Sequence, residues 1–332
     1  MATYQSDILV VGAGIAGLMA ARRLCAAGFQ VAVVEKCSGA GGRLSTVPLG
    51  SGLADSGAQF FTVRTLEFRR EVDSWLADGL VYEWSRGWSD GSLLVSPDDG
   101  FPRYAAKGGF SALAGRLAKQ LDIHCSTRLS SISYVNGEWR ALTESGDAWR
   151  SRAVIITPPV PQSLRLLEDG EVCLPENERV TLRSIRYAPC LCGLFLIDGR
   201  SRLPRPGALQ RPGEAISWVG DNDAKGISPG ARVLTVHASP VASDERWASD
   251  DAAVLRWMYG EIAPWIDTGT GLIASRLERW QYAVPVDIYP DRCFPSAHKG
   301  LLVFAGDAFD GPRVEGAALS GWAAAEAVIA RL

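Results

Sequence analysis

A glycine-rich turn near the start of the chain constrains its fold more than any other feature. The apolar run at residues 8–11, after Asp7, is typical of a buried strand, and Gly12, Gly14 and Gly17 follow it at the start of a helix-like segment. Gly12 allows a tight turn, Gly14 lets the backbone approach phosphate groups, and Gly17 lets the helix pack closely on the strand. The helix N-terminus offers unpaired amides and a partial positive charge. The pattern predicts a Rossmann-like fold with a pyrophosphate site.

An acid at the end of the second predicted strand supports the same interpretation. Residues 31–34 are all apolar, and Glu35 follows them. Because this acid lies about 20 residues beyond the glycines, it is placed to accept hydrogen bonds from the ribose hydroxyls of an adenosine. We therefore expect a bound dinucleotide.

A second glycine-rich loop narrows the choice of dinucleotide. Gly41 and Gly42 precede Arg43 shortly after this acid, and residues 55–62 (DSGAQFFT) come next. A nicotinamide dehydrogenase has no need for this second loop, whereas FAD extends further along the sheet. Arg43 is a fixed cation able to contact phosphate oxygens. The alternative is a solvated turn with an exposed arginine.

The C-terminal segment carries a third signal for a flavin. An apolar strand at residues 300–305 stops at Gly306 and Asp307, and an alanine-rich helix runs to Leu332 after a loop. Small residues at the start of this helix leave room for a flat ring. Backbone amides there would stabilise the negative charge that develops on a reduced flavin. The alternative is ordinary packing of the helix against the sheet.

These segments together resemble the flavin-containing amine oxidases, and within that group most closely the renalases, in particular bacterial ones of similar length. Shorter matching segments follow in the same order: KGGFS at 107–111, ITPP at 156–159, HAS at 237–239 and RWQYAVP at 279–285. The resemblance spans nearly the whole chain.

The resemblance implies an α/β fold with a Rossmann-like FAD-binding domain interleaved with a smaller α+β substrate domain, as in amine oxidases and p-hydroxybenzoate hydroxylase. We expect the FAD-binding domain at residues 1–75, 106–160 and 275–332. The substrate domain is expected at residues 76–105 and 161–274.

The resemblance also implies an FAD-dependent oxidase. Renalases transfer a hydride from isomeric dihydro-NAD(P) to flavin N5, and O2 then reoxidises the flavin, giving H2O2 and NAD(P)+. We expect non-covalent FAD, because no histidine or cysteine lies where related enzymes attach it. The expected cofactor-binding residues are Gly12, Ala13, Gly14, Ile15, Ala16, Gly17, Glu35, Lys36, Gly41, Gly42, Arg43, Gln59, Phe60, Phe61, Thr62, Leu129, Thr157, Gly306, Asp307, Arg313, Val314, Glu315, Gly316 and Ala317.

Few side chains are available for acid–base chemistry, and no catalytic residue is identified. The chain has 3 histidines, of which His237 lies in a matching segment and His298 is expected in a solvated turn. Oxidation of a dihydropyridine expels a hydride and requires no proton removal, so positioning in a dry pocket suffices. The candidate pocket residues are Trp218, His237, Trp280 and Tyr282. Each has a purely structural role as its alternative.

Two other functions stay open. An amine oxidase usually places a lysine, through water, near flavin N5. The candidates are Lys299 and Lys225, the latter in a polar loop expected to be solvated or to face a dinucleotide. The other possibility is a protein that binds FAD without turnover.

Composition limits the partners. A formal net charge of −3 gives no basic field for nucleic acid. We expect a small-molecule substrate, either a dihydronicotinamide nucleotide or an amine, together with O2. Because the first predicted strand begins within a few residues of Met1, we expect no signal peptide, and we expect no span of a bilayer because the apolar stretches are short. The 7 cysteines are scattered without metal spacing, so we expect reduced thiols, no metal and a cytoplasmic location.

Local patterns predict the remaining elements. Short strands fill residues 123–156, with a hairpin at Asn136-Gly137. Strands are expected at 190–197 and 233–238. We expect one clear helix between 161 and 274, at residues 250–262.

Overall fold

The structure is a computed structural model that describes residues 2–92 and 96–332. Met1 and residues 93–95, which fall inside the expected substrate segment 76–105, lie outside the described residues. Over the described ranges, no helix combines the length and the apolar character needed to cross a bilayer.

The strands of the described chain are β1 (Thr3–Gln5), β2 (Ile8–Val11), β3 (Val31–Val34), β4 (Thr46–Leu49), β5 (Gly52–Asp55), β6 (Val81–Ser85), β7 (Arg103–Ala106), β8 (Asp122–His124), β9 (Leu129–Val135), β10 (Glu138–Thr143), β11 (Ala148–Ser151), β12 (Ala153–Ile156), β13 (Tyr187–Ile197), β14 (Ala208–Gln210), β15 (Ile216–Asp221), β16 (Arg232–Ala238), β17 (Leu272–Pro285), β18 (Phe294–Pro295) and β19 (Leu301–Phe304). The helices are α1 (Ile15–Ala26), α2 (Leu66–Ala77), α3 (Phe110–Leu117), α4 (Val160–Glu168), α5 (Glu176–Arg183), α6 (Pro240–Arg246), α7 (Asp251–Ile262) and α8 (Val314–Ile329), with a 3-10 turn at Ala263–Trp265.

The chain divides into two compact units. Unit 1 consists of Met1–Gly42, Ala114–Tyr187 and Pro285–Leu332, and unit 2 consists of Arg43–Leu113 and Ala188–Val284.

These boundaries differ from the expected domain limits. Residues 43–75, 106–113 and 275–284 belong to unit 2, and residues 161–187 belong to unit 1. The hairpin β4–β5 packs against β16, and α4 packs against β9. Such contacts between distant parts of the chain leave no trace in local sequence patterns.

Unit 1 contains the predicted Rossmann-like sheet. Its six strands have the order β18-β19-β12-β2-β3-β8, and all adjacent pairs are parallel except β18–β19. The strands β2, β3 and β12 are fully buried apolar runs, as expected where both faces of a parallel sheet are covered. Strand β2 lies between β3 and β12, so the chain order reverses beside it. Ligands of such folds bind at this kind of switch point.

Two further features of unit 1 follow from the sequence. Helix α1 packs against α8, and a Cβ atom added at Gly321 would lie only 2.1 Å from the Ala16 carbonyl oxygen. A second sheet has the order β1-β11-β10-β9. Asn136 and Gly137, between β9 and β10, have φ of 53° and 88°, so the predicted hairpin is confirmed.

Unit 2 is built on a five-stranded sheet of order β14-β15-β16-β13-β17. The predicted strands at 190–197 and 233–238 correspond to β13 and β16. The predicted helix at 250–262 is α7, whose first turn is capped by the Asp250 carboxylate.

The expectation of one helix between 161 and 274 is wrong. Most of α4, and the whole of α5 and α6, also lie in this segment. Pro159 and Pro175 are the N-cap residues of α4 and α5, and α6 begins at Pro240. A proline near the first helical position initiates a helix, because its missing N–H would have no intrahelical acceptor there. These helices have only seven to nine residues. Such short segments hold too few apolar residues to show a helical period clearly.

Close packing of α1 on the glycine turn gives a direct stability prediction. A Cβ at Gly17 would lie 1.9 Å from the Gly12 carbonyl oxygen, whereas a Cβ at Gly115 in α3 meets no atom within 4 Å. Gly17→Ala should therefore reduce the free energy of unfolding by about 1–3 kcal/mol or more. Gly115→Ala should raise it by up to about 1 kcal/mol, because alanine favours the helix. Urea denaturation of both variants tests this, and equal stabilities would contradict it.

Candidate functional site

In the glycine turn after β2, Gly12 and Gly17 are closely packed, whereas the backbone at Gly14 has open space beside it. Gly12 has a φ of +93°, and a Cβ there would lie 2.6 Å from Thr157 Oγ1. Gly12 and Gly17 are thus required by packing inside unit 1. For a Cβ at Gly14, in contrast, the nearest atom outside the adjoining backbone would be the Gly41 carbonyl oxygen, at 3.9 Å. The backbone at Gly14 is therefore open to the close approach of a ligand.

The N-terminus of α1 is suited to an anion. Gly14 is its N-cap residue, so no side chain caps the first turn, and that turn contains no acidic residue. Its amide groups and the helix dipole are not neutralised by local side chains. A phosphate group would satisfy both.

Glu35 joins the two glycine-rich loops. It is 5% exposed. Its Oε2 accepts a hydrogen bond from the Ala13 amide at 2.8 Å, and its Oε1 accepts one from the Cys37 amide at 2.9 Å. Each carboxylate oxygen can accept a further bond, so Glu35 has acceptor capacity left for a ribose hydroxyl. The acid therefore shapes the site as well as offering acceptors to a ligand.

The second loop lies directly against the first. The Gly41 amide donates to the Ala13 carbonyl at 2.8 Å, and Gly41 forms a parallel bridge with Gly14. Gly42 has a φ of +58°, and a Cβ there would lie 3.4 Å from the Gly14 Cα. Lys36 is exposed, with its Nζ 3.4 Å from Gln162 Oε1.

The C-terminal segment of unit 1 is also tightly built. The Gly306 amide donates to Ser320 Oγ at 2.8 Å. A Cβ at Gly316 would lie 2.3 Å from the Gly311 carbonyl oxygen. Helix α8 begins after Arg313, which provides no side-chain cap, and Glu315 in its first turn is buried.

Most of the predicted cofactor-binding residues therefore belong to unit 1. Among the remainder of that set, Leu129 is the first residue of β9, and Thr157 Oγ1 donates to the Val11 carbonyl at 2.7 Å. Unit 2 holds the other predicted cofactor-binding residues, which are Arg43, Gln59, Phe60, Phe61 and Thr62.

Three of these unit 2 side chains have partners within the unit. One terminal nitrogen of Arg43 donates to the carbonyl oxygens of Tyr282 and Ala283, both at 3.1 Å. Gln59 Nε2 donates to the Asp55 carbonyl at 2.6 Å. Phe61 is 3% exposed and lies in a group of aromatic side chains. These contacts give each residue an architectural role, and their contact with a cofactor stays a prediction.

Lys225 is not in a solvated loop, which corrects the sequence-based expectation. It is 2% exposed, and its Nζ lies 2.6 Å from Asp55 Oδ2. The ammonium also lies 4.9 Å from the centroid of the Trp84 ring and 5.3 Å from that of Phe110. Burial lowers the pKa of this ammonium, and the charge of Asp55 opposes that effect. The polar neighbours of Lys225 in sequence conceal a buried cation.

Asp55 is the centre of a hydrogen-bond network. Its Oδ1 accepts from Thr46 Oγ1 at 2.6 Å and from the Phe110 amide at 3.0 Å. Its amide donates to Asn222 Oδ1 at 3.2 Å, and its carbonyl accepts from Thr235 Oγ1 at 2.9 Å. The end of β5 is thereby fixed to three other segments of unit 2.

Three of the four candidate pocket residues come together beside Ser56. Trp218 and His237 are directly opposite each other in β15 and β16, so their side chains share one face of the sheet. Trp280 Nε1 donates to the Ser56 carbonyl at 3.0 Å, and the His237 ring also contacts the Ser56 backbone. We call Ser56, Trp218, His237 and Trp280 the Ser56 cluster. Tyr282 is held at its carbonyl by Arg43 and is not part of this cluster.

Aromatic packing surrounds Trp218. It is 5% exposed, with ring centroids of Trp88 and Phe60 at 5.0 Å and 5.5 Å. Trp280 is partly buried and packs against the apolar group that includes Cys192 and Leu194. These contacts match the structural alternative for both tryptophans.

Burial changes the acid–base properties of His237. The pKa of the imidazole is lowered to about 4, mainly by burial and also by the Lys225 charge, whereas contact with the Ser56 backbone acts in the opposite direction. His237 is therefore neutral at physiological pH. His298 is also not simply solvated, since it is partly buried beside the rings of Tyr134 and Trp139, 5.2 Å and 5.1 Å away.

Sequence reasoning missed Asp55, Ser56 and Lys225 as members of this network. Asp55 had a signal, because it is an acid at the end of a short strand immediately before a glycine-containing segment. Lys225 had none, since its own neighbours are polar and its partner lies 170 residues away.

The buried ion pair predicts a large effect of removing one partner. Lys225→Met should lower the free energy of unfolding by about 3–5 kcal/mol, because it leaves the Asp55 carboxylate buried without its cation. The exposed Lys107 provides a matched control, and Lys107→Met should change stability by less than about 0.5 kcal/mol. Chemical denaturation measures both values. Similar small losses in the two variants would show that the pair does not carry the stability of unit 2.

Comparisons with known proteins agree with this architecture. A family described as NAD(P)-binding Rossmann-like domain matches residues 10–72. Mouse (Mus musculus) renalase is 28% identical over 330 residues, which covers 92% of this chain and 93% of the renalase.

Solved structures show the same fold. A wild-type putrescine oxidase bound to putrescine has a TM-score of 0.72 at 14% identity, covering 99% of this chain and 100% of the oxidase. A putative protoporphyrinogen oxidase from Exiguobacterium sp. 255-15 also has a TM-score of 0.72, at 15% identity with full coverage of both chains.

The decisive match is to the family described as flavin containing amine oxidoreductase, which covers residues 77–329. That segment is well over half of the 332 residues. Together with the Rossmann-like sheet, it identifies an FAD-dependent oxidoreductase. The chain belongs to the flavin-containing amine oxidoreductases.

Proposed function

We propose that this protein oxidises isomeric dihydro-NAD(P) to NAD(P)+ with non-covalent FAD, and that O2 is the final electron acceptor. The balanced reaction consumes dihydro-NAD(P), one proton and O2, and yields NAD(P)+ and H2O2. Bound FAD would supply a two-electron acceptor at N5. The substrate is the finer part of this proposal, and similarity to mouse renalase over most of both chains supports it.

The burial and pairing of the basic side chains favour a dihydronicotinamide substrate over an amine. Lys225 is buried and paired with Asp55. The pKa of His237 is about 4, so at neutral pH this imidazole is a weak base. Lys299 is exposed in unit 1, with its Nζ 5.4 Å from the Tyr134 ring centroid. Hydride loss from a dihydropyridine needs no proton acceptor, and this arrangement suits it.

Residues of unit 1 fit the adenosine diphosphate part of FAD. The open backbone at Gly14 and the uncapped start of α1 would receive the pyrophosphate. Glu35 would accept hydrogen bonds from the ribose hydroxyls while its existing bonds to Ala13 and Cys37 keep the loops in place. In unit 2, the indoles of Trp218 and Trp280 in the Ser56 cluster would provide apolar contacts for a flat ring and keep water away from it.

Oxidation of an amine is the second candidate. The family match and the fold of putrescine oxidase favour it. An unpaired lysine near the flavin would support amine oxidation, but the ammonium of Lys225 is paired with Asp55. An FAD-binding protein without turnover is the remaining possibility.

Anaerobic rapid mixing separates these functions. We expect the yellow protein to bleach within seconds on addition of a mixture of dihydro-NAD(P) isomers, and to release NAD(P)+. Putrescine and other amines should leave the flavin oxidised. On readmission of O2, one H2O2 should form for each NAD(P)+.

The other outcomes assign the alternatives. Bleaching by amines alone would establish an amine oxidase and refute the proposal. A yellow protein that neither substrate class reduces would indicate binding without turnover.

Glu35 tests the placement of the adenosine. Glu35→Ala should weaken FAD binding by about 1–3 kcal/mol, because it removes acceptors for ribose hydroxyls and for two loop amides. Flavin content and the dissociation constant of FAD measure the effect. Glu83→Ala, which removes an exposed acid paired with Arg86, is the matched control. Unchanged FAD affinity in the Glu35 variant would show that the adenosine lies elsewhere.

A further inference from the structure

Two nitrogens of the Ser56 cluster, Trp218 Nε1 and His237 Nε2, are buried without a hydrogen-bond partner among the described residues, and the histidine nitrogen is the one that can accept a hydrogen bond. His237 Nε2 is enclosed by protein atoms and has no hydrogen-bond partner among residues 2–92 and 96–332. The residue as a whole is partly exposed, so His237 lies at the border between the packed interior and solvent. An enclosed polar atom without a partner is uncommon in proteins and often marks a functional group.

The other ring nitrogen determines what Nε2 can do. Since Nε2 is unpartnered, the contact of the ring with the Ser56 backbone involves Nδ1. This contact raises the pKa of the ring, which is the effect of an accepting carbonyl oxygen, so we assign the proton to Nδ1. In a neutral ring of this form, Nε2 carries a lone pair and acts as a hydrogen-bond acceptor.

The surroundings keep the imidazole neutral. The charged groups near it are the Lys225 ammonium and the Asp55 carboxylate, which are paired with each other. Trp218 and Cys192 lie opposite His237 on β15 and β13. The indole of Trp218 has no charge, and the Cys192 thiol is neutral because burial raises its pKa well above the usual value. Trp280 is likewise uncharged. The cation of Lys225 disfavours a second positive charge on His237.

We infer that His237 is a specificity-determining residue whose Nε2 accepts a hydrogen bond from an N–H group of the substrate. This inference rests on the proposed function, in which that group is the primary carboxamide of the dihydronicotinamide ring. The flat indoles of Trp218 and Trp280 suit the ring, and the Nε2 lone pair suits its amide hydrogen. A neutral imidazole also does not repel the positive charge that the ring acquires when it loses hydride.

A pair of oxidised dinucleotides isolates this hydrogen bond. NAD+ has a carboxamide, whereas 3-acetylpyridine adenine dinucleotide has a methyl ketone, which keeps the acceptor oxygen and removes the N–H donor. Calorimetric titration of the FAD-loaded protein should show about tenfold tighter binding of NAD+. The readout is a dissociation constant and does not depend on turnover.

Substitutions at His237 should remove and restore this preference. His237→Leu should bind the two dinucleotides with similar affinity. His237→Gln places an amide oxygen near the position of Nε2 and should keep part of the preference for NAD+. His124→Gln, in unit 1, is the control and should behave as the original protein. If the leucine variant loses FAD or unfolds, the glutamine variant and the pH dependence still decide the matter.

The pH dependence tests the neutral state of the ring. A folded-state pKa of about 4 means that Nε2 keeps its lone pair above that pH. The preference for NAD+ should therefore be constant between pH 5 and pH 8. Loss of the preference around pH 6.5, the usual range of a solvated histidine, would overturn the inference.

Two failures can be told apart. Equal binding of both dinucleotides by the original protein, or an unchanged preference in His237→Leu, would refute the role of His237. If dihydro-NAD(P) still bleached the flavin, the proposed function would survive. If dihydro-NAD(P) failed to bleach it, the proposed function would itself be wrong.

Discussion

The carboxylate of Asp55 and the ammonium of Lys225, 2.6 Å apart and both withdrawn from solvent, determine how unit 2 is organised. Burying either ion alone would cost much free energy. Their attraction offsets this cost because Asp55 also accepts hydrogen bonds from the Thr46 hydroxyl and the Phe110 amide. The pair joins the end of β5 to the loop after β15. Ser56 follows Asp55 in the chain, and its backbone contacts Trp280 and His237.

The same pair has a chemical consequence for the Ser56 cluster. A lysine whose charge is held by a carboxylate is not available to take a proton from a substrate, yet it still influences nearby ionisations. Its positive charge, with burial, favours the neutral form of His237. The cluster therefore combines aromatic surface with a hydrogen-bond acceptor and avoids a second cation, which is consistent with hydride transfer as the chemical step.

The sequence predicted the nucleotide-binding half of the fold better than the rest. The turn at Gly12, the strand at 31–34 and Glu35 act on one another within about 25 residues, and their chemistry is local. Trp218, His237 and Trp280 stand on three different strands, so no local pattern could show that they lie near Ser56, and the pocket predicted from them and Tyr282 stays a prediction. Lys225 was misjudged because burial depends on what the chain brings around it. The short helices α4, α5 and α6, which begin at or next to prolines, were not predicted, because so few residues give a weak helical period.

Both units are assembled from separate stretches of the chain, which passes between them four times. In unit 1, α1 near residue 15 packs against α8 near residue 314, and β12 pairs with β19. All residues of unit 2 leave the ribosome before α8 does. During synthesis, α1 and its glycine turn therefore lack their packing partner α8 until almost the entire polypeptide has been made. Loop-closure entropy over this span makes completion of unit 1 a late folding event.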